Sequence, residues 1–377
     1  MLTRVASPVA VADAQREQMK QKKPLVRRLA SDRSQQLRHA IQLAFLGLNA
    51  WLAIKFLLWT RYFESGGRTH YFDRPSGVDG WLPIAGLMNL KYFFQTHQVS
   101  AVHPAAMVLA AVFLLSSLLL KKSFCSWLCP IGSVSEVLWK LGRKLFRRNF
   151  TVPRWLDIPL RSLKYILMAF FLFIVVSMSA EALSDFMLAP FGIIADVKML
   201  NFFREIGITG LAVLGSLVVL SVFIQNFWCR FLCPYGALMG LVSTLSPVRV
   251  RRDAQACIDC GKCTKACPSS LPVGRLVQIR SAECTSCMEC VAVCPAENAL
   301  QLALPPRRLA SQAGAPATRW RNRALQPRTV AAVLALVFFG LIGLARATGH
   351  WQTNIPREVY MQLVPHADDY GHQERLN

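Results

Sequence analysis

Neither a dinucleotide-binding glycine fingerprint nor a P-loop occurs in this 377-residue chain, so nothing in it reads as a nicotinamide or nucleoside triphosphate site. Acidic residues are few. Against 43 Lys and Arg stand 21 Asp and Glu, a formal net charge of +22. In a chain as apolar as this one, such an excess sets membrane orientation rather than binding nucleic acid. No apolar core followed by a small-residue cleavage site opens the chain. Residues 1–40 are polar and basic, with nine Lys and Arg from Arg4 to Arg38, and read as a solvated cytoplasmic arm rather than a cleaved signal. No cysteine stands alone: all 12 fall in C-x2-C or C-x3-C arrangements, which favours metal ligation in a reducing compartment over scattered disulfides. No Cys-x2-Cys-His and no tightly spaced His pair is present. His350, Trp351, Tyr360, Met361, His366 and His372 therefore read as solvated or packed residues of a short tail, not as copper or haem ligands.

What is abundant is apolar: 53% hydrophobic residues and a mean hydropathy of +0.34 point to a membrane protein. Five runs are candidate spans: Ile41–Thr60, Ala105–Leu120, Leu163–Ala180, Ile208–Phe227 and Thr329–Ala345. Lys55, near the end of the first, is expected to snorkel outward. The segments before span one, between spans two and three, and before span five carry nine, ten and six Lys and Arg, whereas loops 61–103 and 180–206 carry four and two. The amino terminus and the basic loops are thus expected in the cytoplasm and the carboxyl-terminal tail outside.

Residues 257–295 hold two successive C-x2-C-x2-C-x3-C-P runs. This is the two-cluster ferredoxin pattern, in which the fourth cysteine of each run ligates the other cluster. The expected ligand sets are Cys257, Cys260, Cys263 and Cys294 for one [4Fe-4S] cluster, and Cys284, Cys287, Cys290 and Cys267 for the other. Zinc knuckles lack the third cysteine and the trailing Cys-Pro. Asp259, Glu283 and Glu289 would lower cluster potentials and Lys262 and Lys265 would raise them, unless these charges form a plain solvated face.

An internal repeat organises the rest. Leu82-Pro83 to Phe94 is echoed by Ala189-Pro190 to Phe203. Each is followed by a span and then by Phe124-Cys-Ser-Trp-Leu-Cys129-Pro-Ile-Gly132 or Trp228-Cys-Arg-Phe-Leu-Cys233-Pro-Tyr-Gly236. Two spans per copy put both copies the same way up. The symmetry would bring Cys125, Cys129, Cys229 and Cys233 together at the cytoplasmic membrane face. There they form a third metal or redox site, or else pack as small hydrophobes.

These paired motifs and the double ferredoxin run, with Gly80–Lys91, Pro153–Leu160 and Cys257–Cys263, resemble the membrane-bound polyferredoxins of the NapH, NosR and CcoG (FixG) group. The resemblance implies a multi-pass protein of the bacterial inner membrane that passes electrons, with the eight ferredoxin cysteines as ligands. It also carries the Cys-x3-Cys-Pro residues over to Cys125, Cys129, Cys229 and Cys233, whose ligand it leaves open. The flavin domain of NosR-like members and the carboxyl-terminal immunoglobulin-like domain of CcoG-like members have no counterpart in this sequence.

The expected fold is therefore mainly α, a membrane protein with about five transmembrane helices in a duplicated two-helix unit, plus a small α+β two-cluster ferredoxin domain. Its divisions are a basic arm (1–40), repeat one (41–133), a basic loop (134–160), repeat two (161–247), the ferredoxin domain (248–305), a basic linker (306–328), a fifth helix (329–346) and a periplasmic tail (347–377). The expected function is electron transfer between a membrane or soluble donor and a partner redox enzyme. The chain reads as a carrier more than an enzyme with its own substrate. A cupric reductase acting in metalloenzyme maturation and a redox sensor are the alternatives. Quinol is a candidate donor, with Trp81–Phe94 and Phe186–Phe203 as candidate surfaces or as plain interfacial helices.

Overall fold

The computed structural model describes residues 26–28, 32–147, 150, 152–308 and 320–371. Most of the basic arm, the middle of the linker, and His372 lie outside the described residues.

Among the described residues, three helices are long and apolar enough to cross a membrane: α1 (Ser34–Glu64), the helix from Arg154 to Ser177, and the helix from Pro327 to Ala347. At 31 residues, α1 extends about 46 Å, beyond a hydrocarbon layer of about 30 Å. Its two ends therefore project past the membrane and carry different chemistry. Following α1 come α2 (Pro83–Thr96), α3 (Pro104–Leu120), α4 (Pro130–Phe146) and α5 (Arg154–Ser177). The second copy continues with α6 (Ala180–Leu188), α7 (Ala195–Arg204), α8 (Ile208–Phe223) and α9 (Pro234–Ser243).

Two expected spans are shorter than a full crossing. Helix α3 has 17 residues, and α8 has 16 and meets α7 at an 84° bend. The run expected to reach Phe227 stops at Phe223 because Ile224 is extended, and a π turn over Trp228–Leu232 follows. Pro104 starts α3, where its missing N–H costs nothing. Lys121 ends it with φ of 60°. Helix α3 is the buried centre of the bundle, packed against α2, α9 and α10 (Pro327–Ala347). Its mean apolar character suits burial on all sides.

The duplication is visible as two matched successions: α2, α3, a one-turn helix at Ser123–Trp127 and α4, then α7, α8, the π turn and α9. The copies have diverged at their lysines. Lys91 Nζ donates to the free carbonyls Val175 O and Val176 O at the end of α5, 3.0 and 2.9 Å away, a cation at a helix carboxyl terminus. Lys198 instead lies over the Phe191 ring.

At the far end of α1, a second apolar core joins Phe56, Trp59 and Phe63 to Leu183, Ile194 and Tyr360. The tail folds back onto it through α11 (Arg357–Leu363), with Tyr360 edge-on to Trp59 at 5.0 Å. Of the tail residues named above, Trp351 and Tyr360 are buried, while His350 and His366 are exposed.

The ferredoxin segment sits at the other end of α1. Strand β1 (Arg249–Arg252) pairs antiparallel with β2 (Leu300–Arg308), which pairs with β3 (Trp320–Ala324). The sheet thus runs beyond residue 305 and takes a strand from the stretch read as a linker. Residues 320–324, read as part of a basic linker, form the edge strand of this sheet. The arm also ends earlier than residue 40: α1 begins at Ser34, Arg38 is fully buried, and Arg27 bridges Ala296.

Candidate functional site

The eight ferredoxin cysteines gather into two groups. Cys263 and Cys294 each lie within electrostatic reach of Cys257 and Cys260, and Cys290 within reach of Cys267, Cys284 and Cys287, with Cys263 next. The sequence expects each of these groups to hold one [4Fe-4S] cluster. The backbone repeats as well. In each run the residues flanking the second cysteine have positive φ: Asp259 at 53° and Gly261 at 70°, Ser286 at 51° and Met288 at 60°. Alternating left- and right-handed residues turn successive amides to one side and make a concavity for an anion. The donor chemistry and this cradle fit a thiolate-bound iron–sulfur cubane. The first group is the more open, with Cys260 exposed, whereas Cys267, Cys284 and Cys290 are buried.

The four Cys-x3-Cys-Pro residues also converge: Cys229 lies within electrostatic reach of Cys233, Cys129 and Cys125. Both copies build the same local device. Pro130 and Pro234 open α4 and α9, and the first-turn amides of Ile131 and Gly132, or Tyr235 and Gly236, point at the sulfur of the preceding cysteine. The Gly236 N–H donates to Cys233 Sγ at 3.2 Å. Burial pushes both the Cys129 and the Cys233 thiol up, and these amides at the positive end of a helix oppose that shift without cancelling it. Glycine is required here for space, since a Cβ on Gly132 would lie 2.1 Å from the Cys125 carbonyl oxygen. Gly132→Ala is accordingly expected to displace the Cys125 turn and lower iron per chain. Gly47→Ala, with nothing within 4 Å, should leave iron unchanged, and metal analysis of the two purified variants checks this.

Sequence reasoning missed the residues that join the third group to the ferredoxin loops. Ser126 Oγ donates to Thr285 O at 2.6 Å and Trp127 Nε1 to Ser286 O at 3.3 Å, both inside the Cys284–Cys287 turn. From the second copy, Arg230 Nη1 donates to Ser270 Oγ at 3.0 Å, just after Cys267, and Nη2 to Asp157 at 2.6 Å. The x positions of both C-x3-C motifs thus latch this third cysteine group to one of the ferredoxin loops. Their polar character was the available signal.

Between the two groups lies a buried ion network. Glu283, next to Cys284, accepts from Lys164 Nζ at 2.7 Å and from Tyr165 at 3.0 Å, with Lys122 Nζ 3.8 Å away. Burial alone would depress the Lys122 ammonium, but Glu283 and the nearby sulfurs of Cys125, Cys233 and Cys229 raise its pKa overall. Glu289 meets Arg38, Lys140 and, through Arg38, Glu136. Glu283 and Glu289 are therefore internal partners, whereas Asp259, Lys262 and Lys265 are exposed.

A cavity of about 1290 Å³ runs through the bundle from this region to the opposite end. Cys125, Cys129, Cys229 and Cys233 line one end, and Arg74, Trp81 and Trp351 the other. Phe45, Leu109, Phe113, Leu217 and Phe338 line its middle. Lys55, expected to snorkel, lines it too, with Nζ 5.0 Å over the Trp51 ring.

Residues 102–149 and 206–252 each match the family described as 4Fe-4S binding domain, and 249–295 match the 4Fe-4S dicluster domain. The first pair of matches contains the two Cys-x3-Cys-Pro copies. YccM of Escherichia coli, named as a candidate electron transport protein, is 49% identical over 335 residues, covering 89% of this chain and 91% of its own length. The ferredoxin-type protein NapH of Escherichia coli is 28% identical over 55% of this chain and 70% of its own. The regulatory protein NosR of Pseudomonas aeruginosa is 31% identical over 47% of this chain and 24% of its own. No solved structure matches the chain. With iron–sulfur chemistry written into its cysteines and likeness to YccM over nearly its whole length, the chain belongs to the membrane-bound polyferredoxin family that includes YccM, NapH and NosR, and it transfers electrons.

Proposed function

We propose that this protein carries electrons from a quinol in the bacterial inner membrane, through an iron–sulfur cluster held by Cys125, Cys129, Cys229 and Cys233, to two [4Fe-4S] clusters and then to a partner redox enzyme in the cytoplasm. One cluster is held by Cys284, Cys287, Cys290 and Cys267, and the other by Cys257, Cys260, Cys263 and Cys294. The clusters supply one-electron chemistry when bound. The observation that carries the reading is the apolar cavity, which ends on the four membrane-face cysteines. Its size and lining suit a quinone ring, and its position lets a two-electron donor dissolved in lipid reach a one-electron acceptor.

The residues around this route act in separable ways. Ser126, Trp127 and Arg230 fix the distance from the membrane-face cysteines to the Cys284 loop. Lys122 and Lys164 hold positive charge beside both groups and favour their reduced forms. The exposed Cys260 turn, flanked by exposed Lys262 and Lys265, is the proposed exit. The positive-inside distribution supports a cytoplasmic ferredoxin segment, amino terminus and basic loops, with the carboxyl-terminal tail in the periplasm.

The test is anaerobic protein reconstituted in liposomes, to which a short-chain quinol is added while cluster absorbance is followed. Bleaching of the oxidised clusters is expected. If dithionite bleaches them and quinol does not, the donor is a different one.

A further inference from the structure

At the end of the cavity remote from the ferredoxin segment lies a group of buried ionisable residues that iron–sulfur chemistry does not use. Arg74, Asp79 and His103 come from the first copy and Asp196 from the second. Arg74 Nη2 donates to Asp196 Oδ2 at 2.6 Å and to Asp79 Oδ1, and Arg74 Nη1 donates to Thr353 Oγ1 at 3.1 Å. Asp79, His103 and Asp196 are almost wholly buried, at 1%, 2% and 0% exposure. The guanidinium already fills the space between the two carboxylates, so this is not a cation site.

The imidazole is the unusual member. His103 Nε2 lies 3.1 Å from the Gly192 carbonyl, which only accepts, so Nε2 carries a proton. Nδ1 lies 3.0 Å from Asp79 Oδ1, an acceptor, and 3.1 Å from Arg74 Nη2, a donor. Protonated, Nδ1 donates to Asp79. Deprotonated, it shares with Asp79 Oδ1 one of the two Arg74 Nη2 hydrogens, the other being held by Asp196 Oδ2. Nδ1 therefore keeps a hydrogen-bond partner in both states without moving a side chain, and a structural ion pair has no need of the second. With two carboxylates and one guanidinium, the group is neutral when His103 is charged and carries one negative charge when it is not.

Two further observations point to exchange. Asp79 Oδ2 is buried with no hydrogen-bond partner among the described residues, as is the hydroxyl of Tyr360 from α11. Such an orphaned carboxylate oxygen is costly unless it receives a proton or a water. Arg74, which touches every other member, lines the cavity. The charged and titratable groups facing His103 are thus Asp79, Arg74 and Asp196, with Tyr360 behind Arg74. Burial lowers the His103 pKa, but Asp79 outweighs it and the net shift is upward.

We propose that His103 Nδ1, held between Asp79 and Arg74, is the proton-exchange site for the cavity, taking up protons released there and passing them to the membrane face opposite the ferredoxin segment. This rests on the reading that the cavity's occupant is a quinol. Oxidation of one quinol to quinone breaks two O–H bonds and yields two protons and two electrons. The electrons go to oxidised iron–sulfur centres one at a time, and the protons leave in turn through Nδ1, which returns to its neutral state between them.

Two measurements on the full-length holoprotein in liposomes test the proposal. In the first, infrared difference spectra across a pH titration should contain one histidine with a pKa above 6.5 that is absent from His103→Gln. A His103 that keeps one protonation state from about pH 5 to about pH 10 overturns the proposal whether or not a quinol is the donor. In the second, the rate of cluster bleaching by a short-chain quinol should rise with pH through that same pKa, because only the neutral ring accepts. In His103→Gln the rate should fall about 100-fold and lose this pH dependence, the usual scale for removing a general base, while dithionite reduces both proteins equally. Equal quinol rates and pH profiles in the two proteins also overturn it. Asp79→Asn, which keeps the shape of the site, should lower the pKa of the titrating histidine, and an unchanged pKa contradicts the pairing. If wild-type clusters fail to bleach with quinol, the donor reading falls, and the titration alone decides whether His103 exchanges protons.

Discussion

Replacing Cys125 and Cys229 together with alanine is expected to lower iron from about twelve to about eight per chain, counting four per cubane, with a parallel loss of acid-labile sulfide. The two ferredoxin clusters should remain, because their eight thiolates come from a separate loop system with its own left-handed turns. Reduction by dithionite would then continue while reduction by quinol stops, since the membrane-face step has been removed from the route. The converse substitution, Cys284→Ala, should preserve the membrane-face site and interrupt onward transfer. An iron content of about eight in wild type, unchanged by the double replacement, would mean that the four converging cysteines hold no cluster and would redirect attention to cupric ion or dithiol chemistry at the same position. Metal analysis, sulfide analysis and the reduced electron paramagnetic resonance spectrum separate these outcomes.

The second large effect concerns Arg38. This side chain is 1% exposed and donates to Glu136 Oε1 at 2.6 Å, to Glu289 Oε1 at 3.2 Å and to Ser126 O at 3.2 Å. It therefore ties α1, α4, the Cys125 turn and the ferredoxin segment to one point. Arg38→Met should cost about 3 kcal/mol, the low end of the range for breaking a buried pair, because it leaves the largely buried Glu136 and Glu289 to share Lys140 as their remaining close ammonium. The loss should appear as faster amide exchange across Cys284–Cys294 and easier proteolysis there, with α10 unaffected. Burial would raise the Glu136 pKa, but Arg38, His39 and Lys140 outweigh it and hold the group far below the usual carboxylate range. A group depressed in this way stabilises the fold above its unfolded pKa of about 4.3 and loses that stabilisation as the pH falls below it. Acid should accordingly loosen the ferredoxin segment in wild type, and Arg38→Met should already be loosened at neutral pH.

Much of this protein was legible from spacing alone. The crossed cysteine sets follow from the C-x2-C-x2-C-x3-C-P runs because thiolates at those intervals can reach one cubane in few other ways, and the structure gathers the same cysteines. The apolar runs marked the three described helices long and apolar enough to cross a membrane, and also α3 and α8, which fall short of a full crossing, since hydropathy is a property of local sequence. Their ends were less legible. Where the chain leaves α8 at Phe223, and where α1 begins in a stretch counted as a solvated arm, depends on neighbours that no local pattern reports. The repeat led to the expectation that Cys125, Cys129, Cys229 and Cys233 would meet, and the fold puts Cys229 within electrostatic reach of the other three.

What tertiary structure alone decided is the company that charged residues keep. In the sequence, Glu283 and Glu289 look like any pair of ferredoxin surface acids, and Arg38 like one more charge in a basic arm. Burial against partners more than a hundred residues away makes them a clamp and an ion network. The same holds for Arg74, Asp79, His103 and Asp196, which no motif links. A metal-ligating cysteine declares itself by periodicity because its partners are close in the chain. A buried charge is recognised only when the fold supplies its counter-charge, because desolvation and compensation are properties of three-dimensional surroundings.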